Sequence, residues 1–378
     1  MKVTIVQGAF LPIPPVRGGA VEKLWFALGI ALAEGGISVT HISRLIPGQS
    51  ATELDSGVQR IRIPGFDWSN YKLISRMSDL IYSWRVSRIL PDADIVVTNT
   101  LFLPFLIRNK RKGMVYVSVH RYPRKQFGWY LKASRFQCVS HAVARALTTQ
   151  CPRCADRVRV IPNFVSNVAK TDIINWYSQR EKILLFVGRI HPEKGLQVLL
   201  DAFAKLPSNY RGRWRLQIVG PYAESAGGGG EKYYKTLLQK MSAGNISVDW
   251  IGSVYRQEEL QDYYRKAKIF VYPSLAVHGE AFPLAPLEAM AQGTPILVSC
   301  LDVFQEYLEP GVNGWDCELL GEDAADQLQR ALILAMDAVD GIHGEQYSAE
   351  ALKTAQNFTL KQIAQEFSKD FLELLSNE

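Results

Sequence analysis

No stretch of the 378-residue chain approaches the roughly 20 consecutive apolar residues that span a bilayer, which argues against an integral membrane protein. Cysteine is scarce. Five residues, odd in number and irregularly spaced, do not make a disulfide framework and suit a reducing, cytoplasmic location. The opening MKVTIVQGAF has no separate apolar core and no small-residue cleavage site, so it reads as a first strand rather than a secretion signal. The turn after it holds a glycine pair, but neither a Gly-Lys-Ser/Thr nor a G-x-G-x-x-G, which excludes a Walker loop and the dinucleotide fingerprint there. Acid is missing from one region altogether: residues 101–150 hold ten Lys and Arg and not one Asp or Glu.

What is present is an ordinary globular composition, 47% hydrophobic and 21% charged, over a length that exceeds one average core. Short β-branched runs alternate with amphipathic segments. The expected strands are KVTIV, ISVTHI, VQRIRI, DIVVTN, MVYVSV, RFQCVS and RVRVI, then KILLFVG, WRLQIVG, ISVDWIG, KIFVYP and PILVS. Helices are expected over 20–34, 72–90, 141–149, 194–205, 231–243 and 256–266, and FTLKQIAQEFSKDFLELL closes the chain as an amphipathic helix. Repeated βα units imply parallel sheets covered on both faces, with ligands at the carboxyl ends of the strands. A polar stretch near 163–181 interrupts the pattern and predicts a hinge between two doubly wound domains.

The net charge of +6 hides an asymmetry. Residues 1–165 carry 23 Lys and Arg against 9 Asp and Glu, a balance of +14, and the remainder carry 20 against 28, a balance of −8. A basic half points to an anionic partner: a membrane surface, nucleic acid or a phosphorylated acceptor.

Three stretches carry candidate chemistry. In HGEAFPLAPLEAMAQGTPI, Glu280 and Glu288 flank a predicted helix start, with Pro286 in its first turn and Gly293 as its stop. Backbone N–H groups at such a start suit an anion, with a carboxylate at each side to take hydroxyls. In ILLFVGRIHPEKGLQVLLDAF, Arg189 ends a strand and Lys194 precedes a helix, two fixed cations suited to a diphosphate. Gly18 and Gly19 open the first long helix and let backbone approach an anion. Taken singly, each has a plain structural alternative: a surface glutamate pair, solvated cations, a turn.

Together with VSVH, FQCVSHAVARAL, VIPNFV, LQIVGP, WIGSV and IFVYPS, these stretches resemble the family-4 glycosyltransferases over nearly the whole chain. The resemblance implies an α/β GT-B fold, two Rossmann-like domains facing a cleft, with the last helix crossing back to the first domain. It places the domains at 1–165 with 358–378, and at 166–357. It implies a retaining transfer from a UDP-sugar, glucose or a close relative, to a glycan or lipid-linked acceptor, without metal or other cofactor. Carried over by position, Arg189 and Lys194 would hold the diphosphate, Glu280 the donor sugar and Glu288 the ribose. Phe282 and Leu284 would offer N–H groups, and the base would lie near Val254. Gly188, Gly220, Ala281 and Pro283 would line the same site, while Gly18, Gly19 and His120 would serve it from the first domain. The family usually reads E-G-F-G where this chain has Glu280-Ala281-Phe282-Pro283, and Pro283 removes one N–H.

Other signals are set aside. Asp92-Ala93-Asp94 is read as a strand entry, not a metal site. Cys138, His141, Cys151 and Cys154 have zinc-like spacing, but Cys138 falls in a strand. Gly227–Gly230 is expected to be a mobile loop, His278 a lining residue and His191 exposed. The cations Arg108, Lys110, Arg111, Lys112, Arg124 and Lys125, with Phe127, Trp129 and Tyr130 nearby, are candidates for an anionic membrane surface, peripheral at its inner face. Nucleic acid is not expected, because no binding module is present. The rival functions are a GT-B epimerase or phosphorylase, and a non-catalytic protein that binds anionic surfaces.

Overall fold

Alternation of β-branched runs with helices builds two separate sheets in the computed structural model, which describes residues 1–69, 71–170 and 177–377. Contacts divide the chain into Met1–Phe164 with Leu360–Glu378, and Val165–Thr359. Part of the predicted hinge, 171–176, lies outside the described residues.

The first unit holds eight strands: β1 (Lys2–Val6), β2 (Ser38–Leu45), β3 (Thr52–Asp55), β4 (Val58–Pro64), β5 (Ile95–Thr98), β6 (Met114–Val119), β7 (Ala133–Cys138) and β8 (Val158–Val160). Their order is β3-β4-β2-β1-β5-β6-β7-β8, parallel except where β3 meets β4. The short polar β3 shows no alternation, which is why periodicity misses it. The second unit holds β9 (Glu181–Val187), β10 (Arg215–Val219), β11 (Val248–Gly252), β12 (Ala267–Tyr272), β13 (Ile296–Ser299) and β14 (Gly314–Cys317). Their order, β11-β10-β9-β12-β13-β14, is the doubly wound arrangement, all parallel. Central strands such as β9 and β12 are apolar on both faces because helices cover both.

The order in which strands are added reverses between β1 and β5 in the first sheet, and between β9 and β12 in the second. Crevices open at such switch points, outside the carboxyl ends of the strands. Gly18 and Gly19 follow β1, Arg189 and Lys194 follow β9, and Glu280 and Glu288 follow β12, while His120 comes one strand further on, after β6.

The terminal helix, Leu360–Ser376, packs on the first unit against helix Ala20–Glu34. Ile363, Phe367 and Phe371 are buried as their spacing predicts. Phe367 meets Trp25 edge-on at 5.1 Å, and Phe371 meets Tyr116 likewise. Asp370, buried on the same face, accepts the Tyr116 hydroxyl at 2.8 Å and Arg159 Nε at 3.1 Å, and pairs with Arg135 at 3.0 Å. Helical periodicity alone marks no acid for that apolar face.

Three expectations need correction. Cys151 and Cys154 form a disulfide three residues apart, where their irregular spacing predicts no disulfide framework, while Cys138 is buried in β7 as expected. Gly227–Gly230 is tied down, not loose: Gly228 N–H donates to Ala223, Gly229 to Ile190 and Gly230 to Tyr222. Finally, the helix predicted over 194–205 begins at Leu196, because Gly195 turns left-handed and leaves Lys194 in a tight 3-10 turn.

Candidate functional site

In the second unit, β9 delivers Gly188 and Arg189 and β12 leads into the loop that carries Glu280. Gly220 ends β10 with φ near 148° and donates to Gly252, and a Cβ there would run into the Gly188 carbonyl. Only glycine allows these strand ends to lie so close.

The loops after β9 and β12 bring two residues 86 positions apart into a buried ion pair. Lys194 Nζ donates to Glu280 Oε1 at 2.5 Å, and both side chains are 8% exposed. Ser274 Oγ donates to the same oxygen at 2.8 Å, and Lys194 Nζ lies 5.3 Å from the centre of the Tyr272 ring. The Tyr272 hydroxyl is held well above its ordinary range, by burial first and then by the neighbouring Glu280 carboxylate. A surface-cation reading of Lys194 therefore fails.

Arg189 is half-exposed. Its Nη1 donates to the Gly227 carbonyl at 2.8 Å and its Nη2 pairs with Glu193 at 3.0 Å. Part-buried His191 caps the turn by accepting the Glu193 N–H at its Nδ1. Helix Leu284–Met290 follows with Pro283 as its N-cap, and the Tyr307 hydroxyl donates to the Pro283 carbonyl at 2.9 Å. The helix stops at Met290, and Gly293, with φ near 68°, ends the turn beyond it. Phe282 is buried against Tyr307 and Phe358, Ala281 is half-buried, and Leu284 opens the helix. Glu288 lies one turn inside, where its Oε2 accepts the Tyr264 hydroxyl at 3.0 Å. Val254 is half-buried in the loop after β11, and His278 is exposed. Sequence reasoning missed Glu193, Tyr264, Tyr272 and Ser274, since no spacing rule marks a tyrosine or serine that holds a carboxylate.

The first unit has its own concavity of about 840 Å³ at its switch point, lined by residues that include Gly19, Glu22, Asp79, Asn99, His120 and Arg121. Gly18 and Gly19 have φ of 81° and 94°, and a Cβ on Gly19 would strike the Glu22 carboxylate, so this helix entry requires glycine. His120 Nε2 accepts the Trp25 indole N–H at 3.1 Å. Indole nitrogen is a donor only, so the histidine proton is assigned to Nδ1 and the ring is neutral. Ser118 Oγ lies 2.9 Å from the same Nε2 and donates to Gln137 at 2.5 Å, and Gln137 is fixed in turn by its bond to the Ile161 carbonyl. Asp79, buried, accepts the N–H groups of Leu101 and Phe102, yet burial pushes its carboxyl up to about 6.

Two histidines of this unit must stay neutral. Burial, then Arg121, pulls His120 down to about 4, and burial, then Arg60 and Arg62, pulls His41 from 6.5 to about 3. Unfolding lets each ring take a proton near pH 6.5, so their stabilisation is whole above that value. It erodes as pH falls and is fully lost once the folded value is reached. The stability gap between wild type and a His41→Leu variant should therefore shift in favour of the variant by about 1.4 kcal/mol per pH unit below 6.5. Urea titrations at pH 7.5, 6.0 and 5.0 measure it, and a constant gap would remove the assignment.

Comparison with known proteins gives the following similarities. Residues 18–167 match the family described as Glycosyltransferase Family 4, and residues 175–340 match Glycosyl transferases group 1. The chain is 33% identical over 154 residues to a Salmonella typhimurium lipopolysaccharide 1,2-N-acetylglucosaminetransferase, covering 40% of this chain and 39% of that relative. The match thus spans about two-fifths of the curated relative's length. Among solved structures, a sucrose-phosphate synthase from Thermosynechococcus elongatus superposes with a TM-score of 0.76 at 19% identity, covering 100% of both chains. An Anabaena protein crystallised with UDP and glucose superposes with a TM-score of 0.67 at 16% identity, covering 99% of this chain and 100% of that one. These likenesses establish a GT-B fold.

Proposed function

Since the chain belongs to the family-4 glycosyltransferases, we propose that it moves a sugar, glucose or a close relative, from a UDP-sugar to a hydroxyl of a glycan or lipid-linked acceptor, with retention of configuration. The observation that carries this reading is the buried Lys194–Glu280 pair at the switch point of the second sheet. Departure of a nucleoside diphosphate puts growing negative charge on phosphate. Lys194 and Arg189 are the fixed cations that stabilise it. Glu280, oriented by Lys194 and Ser274, accepts hydrogen bonds from donor-sugar hydroxyls instead of attacking carbon. Glu288, steadied by Tyr264, takes the ribose hydroxyls. Neutral His120 has its Nδ1–H to offer a sugar or acceptor hydroxyl, which suits orientation better than proton removal. The reaction so drawn uses no metal.

The two glutamates should separate by function. Glu288→Gln is expected to weaken UDP binding tenfold or more, in line with roughly 1.5–3 kcal/mol for a hydrogen bond to a charged group. Glu280→Gln should leave UDP affinity within about threefold and slow transfer by about a hundredfold, as for a lost transition-state contact. Calorimetric titration with UDP alone separates them; equal losses in both variants would sink the division of labour.

An anionic bilayer is the acceptor's setting in this reading because the first unit is basic, but the cations expected to act as one docking face are divided by the fold. Arg108 and Lys110 precede β6, at the amino ends of the strands, whereas Arg124 and Lys125 follow it, at the carboxyl ends. Arg111 and Lys112 are both paired with Asp92. Asp94 accepts the Lys2 N–H at 2.6 Å. Phe127 and Tyr130 are core residues, and Trp129 is exposed.

A further inference from the structure

The helix Lys72–Ile89, which joins β4 to β5, is turned inside out. Facing the sheet are Ser78, Asp79, Tyr82, Ser83 and Val86, mostly polar. Facing outward are Leu73, Ile74, Met77, Leu80, Ile81 and Trp84, each between 40% and 70% exposed. Leu73, Met77, Leu80 and Trp84 recur at steps of four, three and four, a single stripe, with Ile74 and Ile81 beside it. A surface helix of a globular protein buries such a stripe. A contiguous exposed patch of this kind marks a surface that is covered in use.

We propose that this outward face seats the protein on an anionic bilayer, its apolar residues entering the interfacial layer while its cations meet lipid phosphates. This deepens the bilayer part of the reading above and rests on it. The charge pattern identifies the occupant. Lys72, Arg76, Arg85 and Arg88 are the helix's cations, Arg85 being held by the Pro64 carbonyl at 2.9 Å, and its one acid, Asp79, is turned inward onto the Leu101 and Phe102 N–H groups. The Arg88 guanidinium lies over the exposed Trp84 ring, 5.8 Å from its centre, so a cation stands directly beside the apolar stripe. Exposed Trp68 and Tyr71 stand just ahead of the helix, the residue types that settle at a membrane–water boundary. A second copy is the poorer occupant, because a two-fold contact would set four cations against four. The helix lies on the membrane and does not cross it: no helix among the described residues is long and apolar enough to span one, and this one keeps its inner face on the sheet. Its 18 residues give a rod of about 27 Å running from the carboxyl end of β4 to the amino end of β5. It therefore runs between the two sheet ends that carry the separated basic loops.

The full chain is tested by flotation with vesicles of phosphatidylcholine and phosphatidylglycerol, at low salt and at 0.5 M NaCl. Wild type should float in both. Salt screens the loop cations but leaves apolar insertion in place. A Leu80→Ser/Ile81→Ser/Trp84→Ser variant should lose at least tenfold in partitioning and all binding at high salt, with melting temperature and transfer to a soluble acceptor unchanged. An Arg124→Ser/Lys125→Ser variant should lose low-salt binding only in part. If the wild type ignores these vesicles, the bilayer reading and this proposal fall together. Should the triple variant float as well as wild type, the helix proposal is overturned and the loops remain. A wild-type dimer in sedimentation that the triple variant abolishes, without vesicle binding, would assign the face to a second copy and also overturn it.

Discussion

Lys194→Met is expected to abolish useful turnover, by about a hundred- to a thousandfold, and to destabilise the second unit by about 3–5 kcal/mol. Lys194 and Glu280 are both 8% exposed and 2.5 Å apart, so removing one leaves the other charged and shut away from water. The two losses have different origins and can be separated. Adding Glu280→Gln to the Lys194→Met chain removes the stranded charge and should restore much of the stability. It should restore none of the activity, because the cation proposed to face the departing phosphate is still missing. Steady-state kinetics with a UDP-sugar and urea titrations of both chains decide the matter. Turnover within fivefold of wild type in Lys194→Met would remove this residue from the chemistry.

Asp370→Ala is the second large effect, about 3–5 kcal/mol of stability lost from the first unit. The carboxylate, 3% exposed, is the shared partner of Tyr116, Arg135 and Arg159. Without it, the 9%-exposed Arg135 is left with Glu373, at 3.5 Å, as its acidic partner among the described residues. The terminal helix would then lose its hold on β6, β7 and β8, while its apolar seam through Phe367 and Phe371 keeps it in place only in part. UDP binding, assigned to the other unit, should be nearly unchanged. Chemical unfolding followed by hydrogen exchange of residues 360–376 would show it, and a loss below 1 kcal/mol would contradict the account.

Much of this was legible in the chain itself. β-branched runs such as KILLFVG and MVYVSV are apolar through successive residues because both faces of the sheet are covered, and that pattern needs no partner to be read. The glycine pair, the Arg189–Lys194 spacing and the two glutamates stood out for the same reason, since local chain geometry restricts which residues fit there. The misses have a common cause. Strand β3 and the pair Tyr264 and Tyr272 are defined by neighbours distant in sequence. The disulfide at Cys151 and Cys154 needed the turn that brings them together. Gly227–Gly230 looked loose because glycine is locally free, whereas its conformation is set by carbonyls of Ile190, Tyr222 and Ala223.

By itself, then, the sequence determined the alternating elements, the two parallel sheets, the helical tail and the positions of the conspicuous charges. Periodicity and glycine placement are local properties that burial converts directly into structure. Tertiary structure alone decided which charges meet. It turned Lys194 inward onto a carboxylate 86 residues away, placed Asp370 beneath three donors, and left the apolar stripe of helix Lys72–Ile89 facing out. An amphipathic pattern has two faces and does not say which one the sheet will take. On the inside Asp79 accepts the Leu101 and Phe102 N–H groups, and no single stretch of chain contains both partners.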